Sequence, residues 1–163
     1  MKQTDNFKFD EANVMNELVY RNLSEDAKRQ ICAWKYGGEY DLYNLPSYEE
    51  MQVRQIGFMN PQRKKNYYGF WDESILVGFV NILEEKEEIF IGIGVNPDLC
   101  NKHYGQRMLL ITYEISKKLY PNKPLYLEVR TWNIRAVKCY QKAGFRIDGQ
   151  AYELTTGIGT GTF

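Results

Sequence analysis

Apolar residues along the chain switch between two spacings, and the switches mark out the elements. Leu18-Val19-Tyr20-Arg21 reads as a first strand. Ser24 then offers an N-cap hydroxyl, and Ala27, Ile31 and Trp34 follow at helical spacing, so a helix is predicted from Glu25 to Trp34 and ends at Gly37-Gly38. An aromatic loop follows, from Glu39 to Pro46. Ser47 caps a second predicted helix, from Tyr48 to about Gly57, with Glu49 and Glu50 well placed in its first turn. Three runs at strand spacing come next, Tyr67–Trp71, Ile75–Leu83 and Ile89–Val95, joined by the short polar links 72–74 and 84–88, which is the pattern of an antiparallel meander. Beyond Pro97 a helix is predicted over Tyr104–Leu119, a strand over Leu125–Val129, and a helix over Ile134–Ala143 closed by Gly144. One or two strands and a Gly/Thr-rich tail complete the chain, and a seventh strand of the sheet is expected in the tail. Residues 1–16 form a polar lead-in without a clear period, and 17–163 read as one domain. A meander followed by crossover helices makes an α/β (α+β) domain.

Composition narrows the classes. A chain of 163 residues can bury about 70% of its unfolded surface, enough for a core without disulfides or a metal. Lys+Arg and Asp+Glu balance at 21 each, which argues against a nucleic-acid partner. Near-zero net charge permits self-association, so monomer or homodimer both stay open. Cys32, Cys100 and Cys139 are widely spaced and form no CxxC pair, so no zinc site is expected, and free thiols fit a reducing, cytoplasmic setting. The opening ten residues lack an apolar signal core, and no apolar run is long enough to span a membrane.

Two windows carry candidate chemistry. In Ile89–Leu110 an apolar strand reaches Pro97, a polar loop follows, and a helix begins near Gly105. Free N–H groups and the dipole at such a helix start suit a diphosphate, although an ordinary strand–loop–helix connection fits the spacing equally well. In Leu125–Phe145 a strand hands over to a helix at Asn133, with Tyr140 on the helix and Gly144-Phe145 beyond it. Together these windows resemble the GCN5-related N-acetyltransferase (GNAT) superfamily. Asn133, Ala136, Tyr140, Gly144 and Phe145 match the family's Asn, Ala, Tyr and Gly-Phe. The family's Gln/Arg-x-x-Gly-x-Gly/Ala loop falls on Cys100–Gly105, where Gly105 alone keeps the family residue. Cys100 replaces the Gln/Arg and His103 the first Gly. Asn and His are enriched among non-glycine residues at positive φ, so Asn101 and His103 can hold the loop shape.

The resemblance implies a single mixed, mostly antiparallel sheet of six to seven strands flanked by helices. Its fourth and fifth strands, here 89–95 and 125–129, would run parallel and splay apart around acetyl-CoA, the co-substrate, with no metal. The backbone of Ile93, Gly94 and Val95 would meet the pantetheine arm. Asn101, Lys102, His103, Tyr104, Gly105 and Gln106 would hold the diphosphate, and Asn133 would contact the cofactor or the acceptor.

An N-acetyltransfer sets its own needs. An alkylamine is neutral in only about one molecule in 10³ at pH 7, a deficit of roughly 4–5 kcal/mol, so a base helps. The leaving thiolate needs a proton, and the resemblance puts Tyr140 in the acid position. A strand N–H near Val95 would support the oxyanion. The stretch 127–140 is similar to bacterial ribosomal-protein alanine N-acetyltransferases, which implies Glu128 as the base. It is a lone charge in an apolar strand, the setting in which a carboxylate gains basicity. Glu87 and Glu88 are the other candidates. Trp34, Tyr36, Tyr40, Tyr43 and Tyr48 fall where the family's acceptor mouth lies. The acceptor would be a small-molecule amine or a peptide or protein N-terminus. The eroded glycine loop raises the alternative of a non-catalytic acyl-CoA sensor or partner-binding module on the same fold.

Overall fold

Strand runs with apolar residues on both faces need cover on both sides, and helices supply it here. The computed structural model, which describes residues 1–3 and 18–163, orders the chain as β1 (Lys2–Gln3), β2 (Val19–Asn22), α1 (Glu25–Ala33), α2 (Tyr48–Arg54), β3 (Tyr67–Asp72), β4 (Ile75–Glu84), β5 (Ile89–Val95), α3 (Tyr104–Leu119), β6 (Leu125–Tyr126), α4 (Ile134–Lys142), β7 (Phe145–Arg146), β8 (Glu153–Thr156) and β9 (Gly159–Thr162). Seven strands make one mixed sheet in the order β2-β3-β4-β5-β6-β1-β7, and β8-β9 is a separate ribbon. Only β5 and β6 run parallel.

One face of the sheet presents Phe70, Val77, Val80, Ile82 and Ile91 to Met108 and Leu109 of α3 and to Phe145. The other presents Trp71, Tyr67 and Phe79 to Ala27 and Ile31 of α1 and to Tyr48 and Met51 of α2. The two clusters fix the sheet between two helix pairs. The predicted caps are in place: Ser24 Oγ accepts from Ala27 N–H at 3.2 Å, Ser47 Oγ from Glu50 N–H at 3.1 Å, and Asn133 Oδ1 from Ala136 N–H at 3.1 Å.

Three elements depart from the sequence reading. The second helix stops at Arg54 rather than near Gly57, because Gln55 turns left-handed (φ 50) and Ile56 N–H closes back on the Met51 carbonyl. The strand predicted over Leu125–Val129 pairs in the ladder only at Leu125–Tyr126, since β5 diverges beyond Ile89↔Leu125 and Phe90↔Tyr126. The additional sheet strand comes from Lys2–Gln3, inserted between β6 and β7 and tied by Lys2 to Glu88 (2.7 Å) and Asp148 (3.2 Å), not from the tail. The rest of the predicted lead-in, residues 4–16, lies outside the described residues. No helix among the described residues is long and apolar enough to cross a membrane.

Candidate active site

The divergence of β5 from β6 leaves part of β5 unpaired on one side. In an antiparallel ladder, successive residues turn their N–H and C=O alternately toward and away from the partner. Asn96 N–H bonds Val77 O (2.9 Å) toward β4, and Ile89 N–H bonds Pro124 O (2.9 Å) toward β6. Counting between them, Ile93 and Val95 face the gap, while Gly94, which pairs Phe79, turns its polar groups to β4. Gly94 contributes a missing side chain instead: a Cβ there would lie 2.5 Å from the Phe79 ring. Phe90, Gly92 and Gly94 stand on one face of β5, and a cavity of about 850 Å³ opens beside them.

The loop before α3 forms the next wall. Asn101 and His103 both sit at φ 64, the left-handed region expected for them, and His103 is the N-cap residue of α3 without capping by its side chain. Gly105 is buried and does not need positive φ. Its role is close approach, since a Cβ there would stand 2.9 Å from Cys139 Sγ on α4. Asn101, His103, Tyr104, Gly105 and Gln106 line the cavity, together with Cys100. Lys102 is exposed and does not line it. Tyr104 donates to Asp72 (2.6 Å), and Gln106 Nε2 to the Lys142 carbonyl (3.2 Å).

Tyr140 and Glu128 stand on the same cavity. The Tyr140 hydroxyl has no hydrogen-bond partner among the described residues, and burial pushes it well above the ordinary phenol range, so it stays protonated. Glu128 is half-buried and accepts from the Tyr152 hydroxyl (3.2 Å). Glu88 is engaged by Lys2, and neither Glu87 nor Glu88 lines the cavity. Asn133 is buried with its amide committed at both ends, to the α4 cap and, from Nδ2, to the Tyr43 hydroxyl (3.2 Å).

Of the proposed acceptor residues, Trp34, Tyr36 and Tyr43 line the cavity. Tyr36 donates to the gap-facing Val95 carbonyl (2.7 Å), and burial raises its hydroxyl above the usual range. Tyr40 does not line the cavity: it packs on Trp132 (centroids 5.5 Å apart) and under Arg135 (4.0 Å). Tyr48 points away too, donating to Glu25 from within the α1–α2 core.

Sequence reasoning missed Tyr67, Phe79, Asn81, Phe90 and Arg130, all of which line the cavity. The alternation of β4 and β5 carried the signal for Phe79, Asn81 and Phe90, since odd positions of β4 and even positions of β5 share a face. Nothing local marked Arg130. Its guanidinium is buried and reaches the carbonyls of Thr160 (3.1 Å), Gly159 (3.1 Å) and Ile158 (3.5 Å), tying the β8–β9 ribbon to the cavity wall.

The gap, the loop of amides and the tight α3–α4 approach fit an acyl-coenzyme A. Comparison with known proteins agrees. A family model described as "Acetyltransferase (GNAT) family" matches residues 28–145. No curated protein sequence matches the chain. Among solved structures, an aminoglycoside acetyltransferase bound to coenzyme A and kanamycin is 17% identical with a TM-score of 0.68, over 89% of this chain and 91% of that one. A spermidine N-acetyltransferase chimera from Vibrio cholerae and hSSAT is 19% identical with a TM-score of 0.69, over 89% and 90%. A GNAT-family acetyltransferase from Streptococcus pneumoniae is 22% identical with a TM-score of 0.62, over 90% and 96%. At these identities the structures speak for the fold.

Proposed function

This chain belongs to the GNAT acetyltransferase family, whose members are acetyl-CoA-dependent N-acetyltransferases, and we propose that it acetylates a primary amine by direct attack in a ternary complex. Acetyl-CoA supplies the activated acetyl group as a thioester. The observation that carries the reading is the divergence of β5 from β6, which turns the amides of Ile93 and Val95 toward an open gap beside Tyr140 and Glu128.

Each residue then has one task. Ile93 offers its backbone N–H and C=O to the pantetheine arm, since the Val95 carbonyl is taken by the Tyr36 hydroxyl. The amides of Asn101 and of His103 to Gln106 face the diphosphate, helped by the start of α3. The Val95 N–H, on the gap side, supports negative charge at the reacting carbonyl oxygen. Glu128 takes the proton that the amine must lose. Tyr140, held neutral by its surroundings, donates a proton toward the thiolate sulfur as coenzyme A leaves. Overall one N–C bond forms and one C–S bond breaks; of the two protons the ammonium loses, one leaves through Glu128 to solvent and the equivalent of the other ends on the thiol through Tyr140.

The test is Tyr140→Phe. Turnover falls at least about tenfold, the scale of a lost general acid, while acetyl-CoA affinity stays unchanged. Equal turnover in the two proteins removes Tyr140 as the acid.

A further inference from the structure

The cavity divides into two chemically different halves. On the α3–α4 side its charges are cationic: Arg135, Lys138 and Lys142 all stand on α4. On the α1 side it is walled by six rings, those of Trp34, Tyr36, Tyr43, Tyr67, Phe79 and Phe90. The rings brace each other, with Trp34–Phe79 centroids at 6.2 Å and Tyr67–Phe79 at 6.5 Å. The floor between them is the bare backbone of Gly92, while the Phe79 ring lies over Gly94. Glu128 is the one side-chain carboxylate that lines the cavity among the described residues. The side-chain oxygen of Asn81 is buried behind this wall without a partner.

We infer that the acceptor is a monoamine whose body is apolar and about the size of an aromatic ring, not a polyamine or an aminosugar. This rests on the acetyltransferase reading and names the substrate class of the same site. A polycation needs one carboxylate or an equivalent acceptor for each ammonium it buries, because an unpaired charge in a low-dielectric wall is costly. A single carboxylate here matches a single amine. The remaining charged side chains on the lining repel further positive charge. A flat apolar body, in contrast, recovers its burial from the rings and slides over the glycine floor.

The experiment is equilibrium binding of three amines to the protein–coenzyme A complex, in which no acetyl group is present to react. Phenethylamine is compared with spermidine and kanamycin. The expected result is binding of phenethylamine at least about tenfold tighter than either polycation, the ratio that ~1.4 kcal/mol of discrimination produces. Equal or tighter binding of spermidine or kanamycin overturns the inference, and so does the absence of phenethylamine binding at millimolar concentration. Gly92→Val is the companion variant. A Cβ there makes ordinary contacts of 3.5 Å with Asn81 and 3.6 Å with Phe90, so the chain folds, but the added methyls occupy the floor. Phenethylamine affinity falls at least about tenfold while coenzyme A affinity is retained, because the backbone of residue 92 faces β4. A variant that binds phenethylamine as tightly as the parent chain overturns the placement of the amine. If phenethylamine binds as expected and acetyl-CoA still releases no thiol with it, the substrate class stands and the transferase reading fails.

Discussion

Gly105→Ala tests the geometry on which the donor site rests. The added Cβ would stand 2.9 Å from Cys139 Sγ and 3.5 Å from Val95 Cγ2, against about 3.5–4.0 Å for an unstrained contact. Either the Cys139 thiol leaves its rotamer, at about 0.5–1.5 kcal/mol, or α3 and α4 part by roughly 0.6–1 Å, an overpacking that costs about 1–3 kcal/mol. Alanine recovers at most about 1 kcal/mol of helix propensity. The expected net loss is therefore at most about 2 kcal/mol, a fall in Tm of at most about 8 °C for a domain of this length. The assay is urea unfolding of the parent chain, Gly105→Ala, Cys139→Ala and the double variant. Removing Sγ makes room for the new methyl, so the double variant is more stable than the two losses added together, with a coupling of about 1 kcal/mol or more. Acetyl-CoA affinity falls in Gly105→Ala and recovers in the double variant. Losses that add to within about 0.5 kcal/mol refute the close approach as the reason for glycine at this position.

Glu128→Gln lowers kcat/KM at least about tenfold with acetyl-CoA affinity unchanged, and an undiminished kcat/KM rules Glu128 out as the base. Tyr140 is a phenol whose folded-state value is raised by burial, so it contributes no alkaline limb to activity below about pH 10. The same shift makes the unfolded chain release its proton first as pH rises through about 10, so this group's contribution to stability falls above that pH; a Tyr140→Phe chain whose stability falls just as steeply there contradicts it. A Cβ at residue 161 would overlap the Arg130 guanidinium. Gly161→Ala therefore frees the β8–β9 ribbon, and amide exchange at Thr131, whose N–H bonds the Thr162 carbonyl (2.9 Å), rises while exchange in β4 is unchanged. Equal protection at Thr131 in both proteins removes Arg130 as the anchor.

Elements written in local chemistry were legible in the sequence. Ser24, Ser47 and Asn133 cap helices where hydroxyl or amide groups precede helical spacing, and the meander follows from alternation alone. The loop before α3 was legible as well, because Asn and His are the non-glycine residues best able to take the φ of 64 they adopt. What escaped was long-range. Lys2–Gln3 enters the sheet through pairing with residues 126, 145 and 146, which no local period announces. Arg130 depends on carbonyls about 30 residues away. The ring wall escaped for another reason: Phe79 and Phe90 looked like strand core, but Gly94 lets the Phe79 ring lie flat on β5 and Gly92 leaves open floor beside it. Tyr40, chosen from its neighbourhood in the chain, instead stacks on Trp132.

Product formation with acetyl-CoA and phenethylamine is the deciding measurement, following thiol release and the acetylated amine together. The predicted result is one coenzyme A released for each amine acetylated, at a rate that saturates in both substrates and is at least about tenfold lower in Tyr140→Phe. Thiol release no faster with the amine than without it, from a chain that demonstrably binds both acetyl-CoA and phenethylamine, would contradict amine acetylation at this site.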